Sequence, residues 1–443
     1  VRRAAVSARS NHALAAAAIC AALGLLATAC SAGGNSGSGR SSSPAGHVAA
    51  RAQHDASTSG PQLTISPGNG ARNASPGAGI SVTASHGKLK SVTAQAGGTQ
   101  VAGSFNAART AWHSTWALGV SERYTVTATA TGSGRTVSRA SSFRTLTPAQ
   151  TFTTTILEGY DQTYGVGMPI ILGFSRQITN KAAVERALQV QTSKPVVGAW
   201  YWDNNGSCMG GAVECLYFRP RSYWPTHTKV TFTGHLDGVE GAPGVYGYHT
   251  LTQTFYIGRS LIVVASTATH YMNLYRNGKL IHHWPISTGR PGDNTPNGTY
   301  LTIDKGNPVD MKGPGYNIEV PWSVRFTWSG DYLHDAYWSV GEQGFTNVSH
   351  GCVNMPPADA EIYYKMEVPG DPVTITGSPK AGEWDNGWTQ WFLPWNQYLK
   401  GSALHLAVEA GPKGSRFVSP GSLPASTATA PLGEPKPDNW AAT

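Results

Sequence analysis

The sequence predicts a mainly β protein: two small β-sandwiches in series, then a β-rich mixed domain with a short C-terminal subdomain. Three observations predict it. Charged residues make up only 13% of the 443 residues, against about 25% in a typical soluble domain, and Gly, Ser and Thr take their place. Short strand-like runs bounded by Gly, Asn, Asp and Pro recur along the chain, while charged helical stretches are scarce. Without its ends, the chain is long enough for three domains of about 100–150 residues each.

In chain order, residues 1–29 read as a signal peptide. Arg2, Arg3 and Arg9 form a basic start, and residues 13–29 are apolar and Ala-rich, too short and weak for a comfortable membrane span. The stretch ends at Leu26-Ala27-Thr28-Ala29-Cys30, which resembles a bacterial lipoprotein box with its Leu one position far from the Cys. Lipidation of Cys30 and a membrane anchor are the expectation; ordinary secretion with cleavage nearby is the alternative. Residues 30–60 are rich in Ser, Gly and Ala without apolar periodicity and read as a flexible tether. Loss of the three leader arginines leaves 25 acidic residues against a basic excess of +5. A mildly basic, extracytoplasmic protein suits an anionic wall polymer. No basic cluster with interleaved aromatics is present, so no nucleic-acid partner is expected.

Residues 61–146 read as the first sandwich. Ile80-Ser81-Val82-Thr83, Leu89-Lys90-Ser91-Val92, Thr115-Trp116-Ala117-Leu118 and Tyr124-Thr125-Val126-Thr127-Ala128-Thr129 are short segments separated by turns. Residues 147–257 read as the second. Residues 168–174 and 229–232 are strand-like, and residues 182–188 suggest one or two helical turns with Asn180 as N-cap. Trp200 and Trp202 alternate with Tyr201, so both tryptophans share one face. Cys208 and Cys215 are predicted to form a disulfide, the default outside the cytoplasm.

Residues 258–378 form the β-rich mixed domain. An apolar run at 261–265 and the alternating 271–275 lead to Asn277-Gly278, a two-residue hairpin turn. Strands return over 280–286 and 298–303. Residues 304–321 then break the pattern with Gly306, Pro308, Gly313, Pro314 and Gly315. Trp384, Trp388, Trp391 and Trp395 follow at helical spacing in residues 379–412, although Pro394 disturbs the last turn. Such a stripe is read as a docking face rather than a sugar platform. Residues 413–443, rich in Pro, Ser, Ala and Thr, read as disordered.

The chemistry concentrates in Ser349-His350-Gly351-Cys352-Val353-Asn354, with His334 sixteen residues before His350. Only a thiolate attacks well, and a nearby imidazole can generate it. Gly351 would allow a tight turn, and amides around Cys352 could hold an oxyanion. With Cys30 lipidated and Cys208 paired to Cys215, Cys352 is the unpaired thiol of the mature chain. From the residues alone, an inert thiol, a His334/His350/Cys352 metal site and packed core histidines stay open beside catalysis.

The pattern His334 … Ser349-His350-Gly351-Cys352-Val353-Asn354 resembles the signature of the YkuD-type L,D-transpeptidases. The resemblance extends to Tyr275-Arg276-Asn277-Gly278-Lys279, Pro285-Ile286-Ser287-Thr288-Gly289 and Thr295-Pro296-Asn297-Gly298. It covers residues 62–410, including two immunoglobulin-like domains as in actinobacterial members. It implies that Cys352 is the nucleophile, His334 the base, and His350 a further catalytic-site residue. It implies a lid over residues 304–321 carrying Tyr316 and Met311, with Ser349, Gly351, Asn354, Asp335 and Trp338 also at the substrate. Asp335 departs from the family, which commonly has Ser or Gly after the base. A backbone carbonyl there would orient the imidazole, while a carboxylate could raise its pKa or meet a substrate amine. The C-terminal subdomain would pack on the catalytic domain. The implied partners are peptidoglycan stem tetrapeptides, with carbapenem β-lactams as inhibitors, and no metal or organic cofactor. A donor stem would be cut before its D-Ala and joined 3→3 to another stem. An L,D-carboxypeptidase, a protein-anchoring enzyme and a non-catalytic wall-binding lipoprotein are the alternatives.

Overall fold

The computed structural model describes residues 60–203, 208–313 and 316–423, which fall in one compact unit. The expected signal peptide, Cys30, nearly all of the tether and the end of the chain lie outside the described residues. The protein is mainly β. Among the described residues no helix is long and apolar enough to cross a membrane.

Two facing sheets make the first sandwich. One runs in the order Gln62–Ser66, Ser81–Ser85, Ala111–Ser114, Gly103–Phe105; the other in the order Thr99–Gln100, Lys88–Ala96, Arg123–Gly132, Arg135–Arg144. Period-2 patterning explains the packing. Tyr124, Val126, Ala128 and Ala130 alternate inward along one strand and are all buried. Ser133 and Gly134 turn the hairpin with φ of 48° and 71°, the conformation that matches strand twist. One expected strand is absent. The sheet ends at Ser114, and residues 115–118 leave it. Leu118 still fills the core of the first sandwich, while Ala117 packs on the second and Trp116 stacks on His235 there, with ring centroids 3.8 Å apart.

The second sandwich has a six-stranded sheet in the order Thr154–Ile156, Ile170–Phe174, Glu214–Pro220, Val196–Asp203, Ala407–Gly411, Gly414–Val418. It faces a sheet of Thr163–Tyr164, Leu251–Ile257, Thr228–Gly234 and Leu188–Thr192. Ile170–Phe174 and Glu214–Pro220 are buried at every position, because both faces of this sheet are covered. Leu172, Phe174, Trp200, Trp202 and Phe218 fill the sandwich core. Ile171, Cys215 and Tyr217 face outward, against Leu301, Trp388 and Trp391. The two tryptophans share a face, while Tyr201 stacks on Tyr398 at 5.0 Å. Cys208 and Cys215 are disulfide-bonded. The helix is Lys181–Arg186, and Leu188 already begins a strand; Asn180 occupies the N-cap position without a side-chain capping bond.

Two corrections concern the C-terminal region. Residues 413–418 are not part of a disordered tail. Ala407–Gly411 and Gly414–Val418 form a hairpin whose first strand pairs with Val196–Asp203. Gly414, at φ 103°, permits the tight turn that compositional reading passed over. The subdomain therefore docks on the second sandwich as well as on the catalytic domain. Nor do the four tryptophans line a helix. A 3₁₀ turn at Gln390–Phe392 and a short helix at Trp395–Tyr398 flank Pro394. Trp388 and Trp391 are buried, so the stripe is a docking surface turned inward. Arg219, also buried, lies between the rings, 4.3 Å over Trp391 and 4.2 Å over Tyr398. A cation there gains from both π-faces. Glu185 accepts hydrogen bonds from Trp202 Nε1, Ser402 Oγ and the Ala403 and Leu404 amides.

The third domain has a five-stranded sheet in the order Lys279–Pro285, Tyr271–Arg276, Leu261–Ser266, Pro372–Thr376, Gly298–Leu301. Asn277 and Gly278 make its two-residue turn, at φ 49° and 79°. A second sheet runs Lys305–Gly306, Ser323–Arg325, Tyr332–Asp335, Val353–Met355. Helix Pro357–Met366 buries Ala360 and Tyr363 in the core with Leu333 and Val353. Within 304–321, Val309–Gly313 and Tyr316–Val320 form a two-stranded hairpin.

Candidate active site

Two adjacent parallel strands place the chemistry. Tyr332–Asp335 pairs with Val353–Met355 so that His334 aligns with Asn354. Strand alternation then puts His334 and the side chain of Cys352, which immediately precedes its strand, on the same face. Asp335 falls on the opposite face.

His334 is 3% exposed. Its Nδ1 lies 2.7 Å from the backbone oxygen of Asp335. A carbonyl can only accept, so Nδ1 carries the proton and Nε2 keeps a lone pair free to take one. Burial disfavours the imidazolium and pushes the His334 pKa down to about 4, although the Asp335 carbonyl pulls the other way. The Asp335 carboxyl is buried, accepts from the Tyr337 amide and has its pKa raised, mainly by burial.

Cys352 is the one free cysteine among the described residues. Its thiol donates to the Gly330 carbonyl at 3.8 Å. Burial, with the negative charge of Asp331 adding to it, pushes the thiol up to about 12; the Tyr332 backbone hydrogen bond acts in the other direction. The resting site therefore holds a neutral thiol and a neutral imidazole. This differs from the lowered thiol pKa that a neighbouring imidazole suggests from sequence. Such a pair suits general-base attack, with the proton leaving sulfur as the sulfur–carbon bond forms.

The turn before the thiol is tightly built. Ser349 Oγ donates to the Cys352 carbonyl at 2.6 Å and accepts from the Gly351 amide at 3.2 Å. Thr295 Oγ1 donates to the Gly351 carbonyl at 2.6 Å. Gly351 has φ 130°, and a Cβ there would lie 2.4 Å from Asp331 Oδ1, so no other residue fits without displacement. Because the Gly351 amide is taken by Ser349, it is not an open oxyanion donor. The Cys352 amide has no protein acceptor among the described residues and is the backbone group available for that task.

The other expected residues are placed as follows. His350 is exposed, with its ring 4.9 Å from that of Tyr316 on the hairpin. Met311 pairs with Ile318 two positions from the Gly313–Tyr316 pair, so it shares a face with Tyr316. Trp338, 45% exposed, stacks on His334 at 5.9 Å. Ser349 and Asn354 are buried and tied into the scaffold; Asn354 Nδ2 donates to Ser339 Oγ at 2.9 Å. Two residues escaped sequence reasoning as site groups. Thr295 had a signal, its place in a family segment. Asp331 had none, since Gly330-Asp331 reads as an ordinary turn. Among the described residues no group of three His, Cys, Asp or Glu side chains is arranged to hold a metal ion.

Comparison with known proteins follows the same division. A family model described as a bacterial Ig domain matches residues 71–240, and one described as the L,D-transpeptidase catalytic domain matches residues 260–375. L,D-transpeptidase 2 of Mycobacterium tuberculosis (strain CDC 1551 / Oshkosh) is 33% identical over 375 residues, covering 80% of this chain and 90% of that protein. The chain belongs to the L,D-transpeptidase family. L,D-transpeptidase 5 of Mycobacterium tuberculosis (strain ATCC 25618 / H37Rv) is 34% identical over 354 residues, 78% of this chain and 77% of that protein. Among solved structures, an LD transpeptidase in complex with imipenem is 32% identical, covers 50% of this chain and 97% of its own, and has a TM-score of 0.42. This L,D-transpeptidase is thus a cysteine-dependent acyltransferase with immunoglobulin-like modules before its catalytic domain.

Proposed function

We propose that this L,D-transpeptidase forms 3→3 cross-links between peptidoglycan stem peptides through a thioester on Cys352. The observation that carries the reading is the shared face of Cys352 and His334 on adjacent strands, with the His334 Nδ1 proton held by the Asp335 carbonyl. Cys352 attacks the carbonyl between the third and fourth residues of a donor tetrapeptide. His334 Nε2 takes the thiol proton and returns it to the departing D-Ala amine. The side-chain amine of another stem's third residue then attacks the thioester and frees the thiol. Tyr316, over His350, closes the site against water.

Mass spectrometry of the purified protein with a disaccharide-tetrapeptide tests the reading. A cross-linked dimer is expected; tripeptide alone would mean that water is the acceptor. Solved relatives include one in complex with imipenem and one carrying a faropenem-derived adduct. A stable adduct of one carbapenem per chain is accordingly expected on Cys352, and its persistence in Cys352→Ala would remove the thiol from the mechanism.

The reading also assigns the protein to the outer face of the cytoplasmic membrane, held by a lipid on Cys30. The Ala29-Cys30 junction and the Ser/Gly-rich stretch after it support this. Cys30→Ala should release the protein into the medium, and unchanged membrane association would refute the anchor.

A further inference from the structure

The unexplained group beside the nucleophile is Asp331. Its Oδ2 accepts from Thr327 Oγ1 at 2.9 Å and Ser329 Oγ at 3.3 Å. Its backbone amide donates to Thr327 Oγ1 at 2.7 Å. The carboxylate is thus fixed in one orientation, and Oδ1 is aimed at Gly351, where a Cβ would stand 2.4 Å away. Oδ1 accepts no hydrogen bond among the described residues, and no basic side chain forms an ion pair with Asp331 there. Burial raises the Asp331 pKa, against the pull of the Thr327 and Ser329 hydrogen bonds and of Lys380 at longer range, and Glu383 adds like charge. An incoming ammonium would supply the counter-charge that the site lacks.

This placement works against the first half of the reaction. A carboxylate beside the sulfur disfavours the thiolate, and Asp331 indeed helps to push the Cys352 pKa up. A rigidly held, unpaired carboxylate one residue from the reacting atom needs a role in another step. The step that brings a positive charge to the site is resolution of the thioester by an amine, which arrives protonated at neutral pH.

We propose that Asp331 is the counter-ion for the acceptor: its open Oδ1 holds the incoming ammonium beside the acyl group on Cys352 and so selects an amine over water. This rests on the transpeptidase reading above. The ammonium gives one proton to His334 and its nitrogen attacks the thioester carbon. The carbon–nitrogen bond forms, the carbon–sulfur bond breaks, and the departing sulfur takes the second proton from nitrogen. His334 then releases its proton to solvent. Asp331 touches the acceptor and leaves the bond changes to Cys352 and His334.

The test sets two acceptors against each other on the full chain acylated with a disaccharide-tetrapeptide. One is a tripeptide stem bearing the cationic side-chain amine. The other is hydroxylamine, which is uncharged at neutral pH. In Asp331→Asn the ratio of amine product to hydroxylamine product is expected to fall about tenfold, as for loss of one charge-assisted hydrogen bond. Asp331→Glu should recover part of the ratio. A structural role would lower both products together, and an equal fall or no fall overturns the proposal. Asp331→Ser, whose hydroxyl can still meet Thr327, serves if the Asn variant does not fold by circular dichroism. If the parent forms no acyl-enzyme with the tetrapeptide, the transpeptidase reading fails, and this inference with it. If the parent cross-links and the acceptor ratio is insensitive to residue 331, only the inference fails.

Discussion

His334 combines two demands that an exposed histidine would not meet together: one fixed tautomer and a neutral ring. Its pKa of about 4 follows from burial. The base is active when neutral, so carbapenem acylation should be flat from pH 8 to about 5 and half-lost near 4. A rate that halves near 6.5, the value of an ordinary imidazole, would contradict this. The same burial makes stability pH-dependent. In the unfolded chain His334 takes up a proton near 6.5; in the folded chain it does so near 4. Its contribution is therefore complete above 6.5 and lost as pH falls through that window, by about 3 kcal/mol in all. Denaturant midpoints at pH 7 and pH 4.5 measure the loss, and His334→Gln should reduce the difference.

Legibility at this scale followed the kind of cause. Cys352 and His334 stood out because their residue types and spacing carry the chemistry. Asp331 could not be read, because its importance comes from a close approach to Gly351 that only the folded turn creates. The neutral resting thiol was equally hidden, since burial rather than sequence proximity decides it.

At the scale of elements, the strand-like runs named from sequence fall on strands to within a few residues, all but residues 115–118, while others such as Arg135–Arg144 and Glu214–Pro220 carry too little period-2 signal to be named. Patterning failed where an apolar run served something other than a ladder. Residues 115–118 carry Trp116 to His235, and the tryptophan stripe follows a chain broken at Pro394. Residues 413–418 were missed because a strand that completes another domain's sheet carries little apolar signal of its own. The element that holds this return in place is the segment at 402–404, bound to Glu185. Glu185→Ala would leave the buried Trp202 Nε1 and Ser402 Oγ and the part-buried Ala403 amide without an acceptor, while the Leu404 amide keeps Ser402 Oγ. The expected destabilisation is about 3–5 kcal/mol, read as a lower denaturant midpoint. A change under about 0.5 kcal/mol would mean that water replaces the carboxylate. Glu185→Gln should lose less, since its amide oxygen keeps part of the set.

For the whole molecule, the second sandwich and the catalytic domain are one mechanical body. They share the cluster of Ile171, Tyr217, Leu301, Trp388 and Trp391, and the last described strands lie in the sandwich sheet. A truncation after residue 378 removes one of the two partners of Val196–Asp203, leaving that strand at an open edge, and uncovers an apolar face. It should unfold the second sandwich with the catalytic domain and leave the first sandwich intact. Limited proteolysis should then yield a protected fragment near residues 60–146. A truncated protein that keeps carbapenem acylation would show that the two are independent.

The return of residues 407–418 to the second sandwich also sets an order of events during synthesis. A nascent chain leaves the ribosome from its N-terminus, and domains that are continuous in sequence can close as they emerge. The first sandwich is continuous and can close early. The second must wait with one sheet edge unpaired until more than a hundred and fifty later residues have appeared, because the strand that pairs with Val196–Asp203 begins at Ala407. An open edge of this kind is a site for wrong pairing. The interval between its emergence and the arrival of the final hairpin is therefore when this protein is most exposed to aggregation, and when a holding chaperone would matter most.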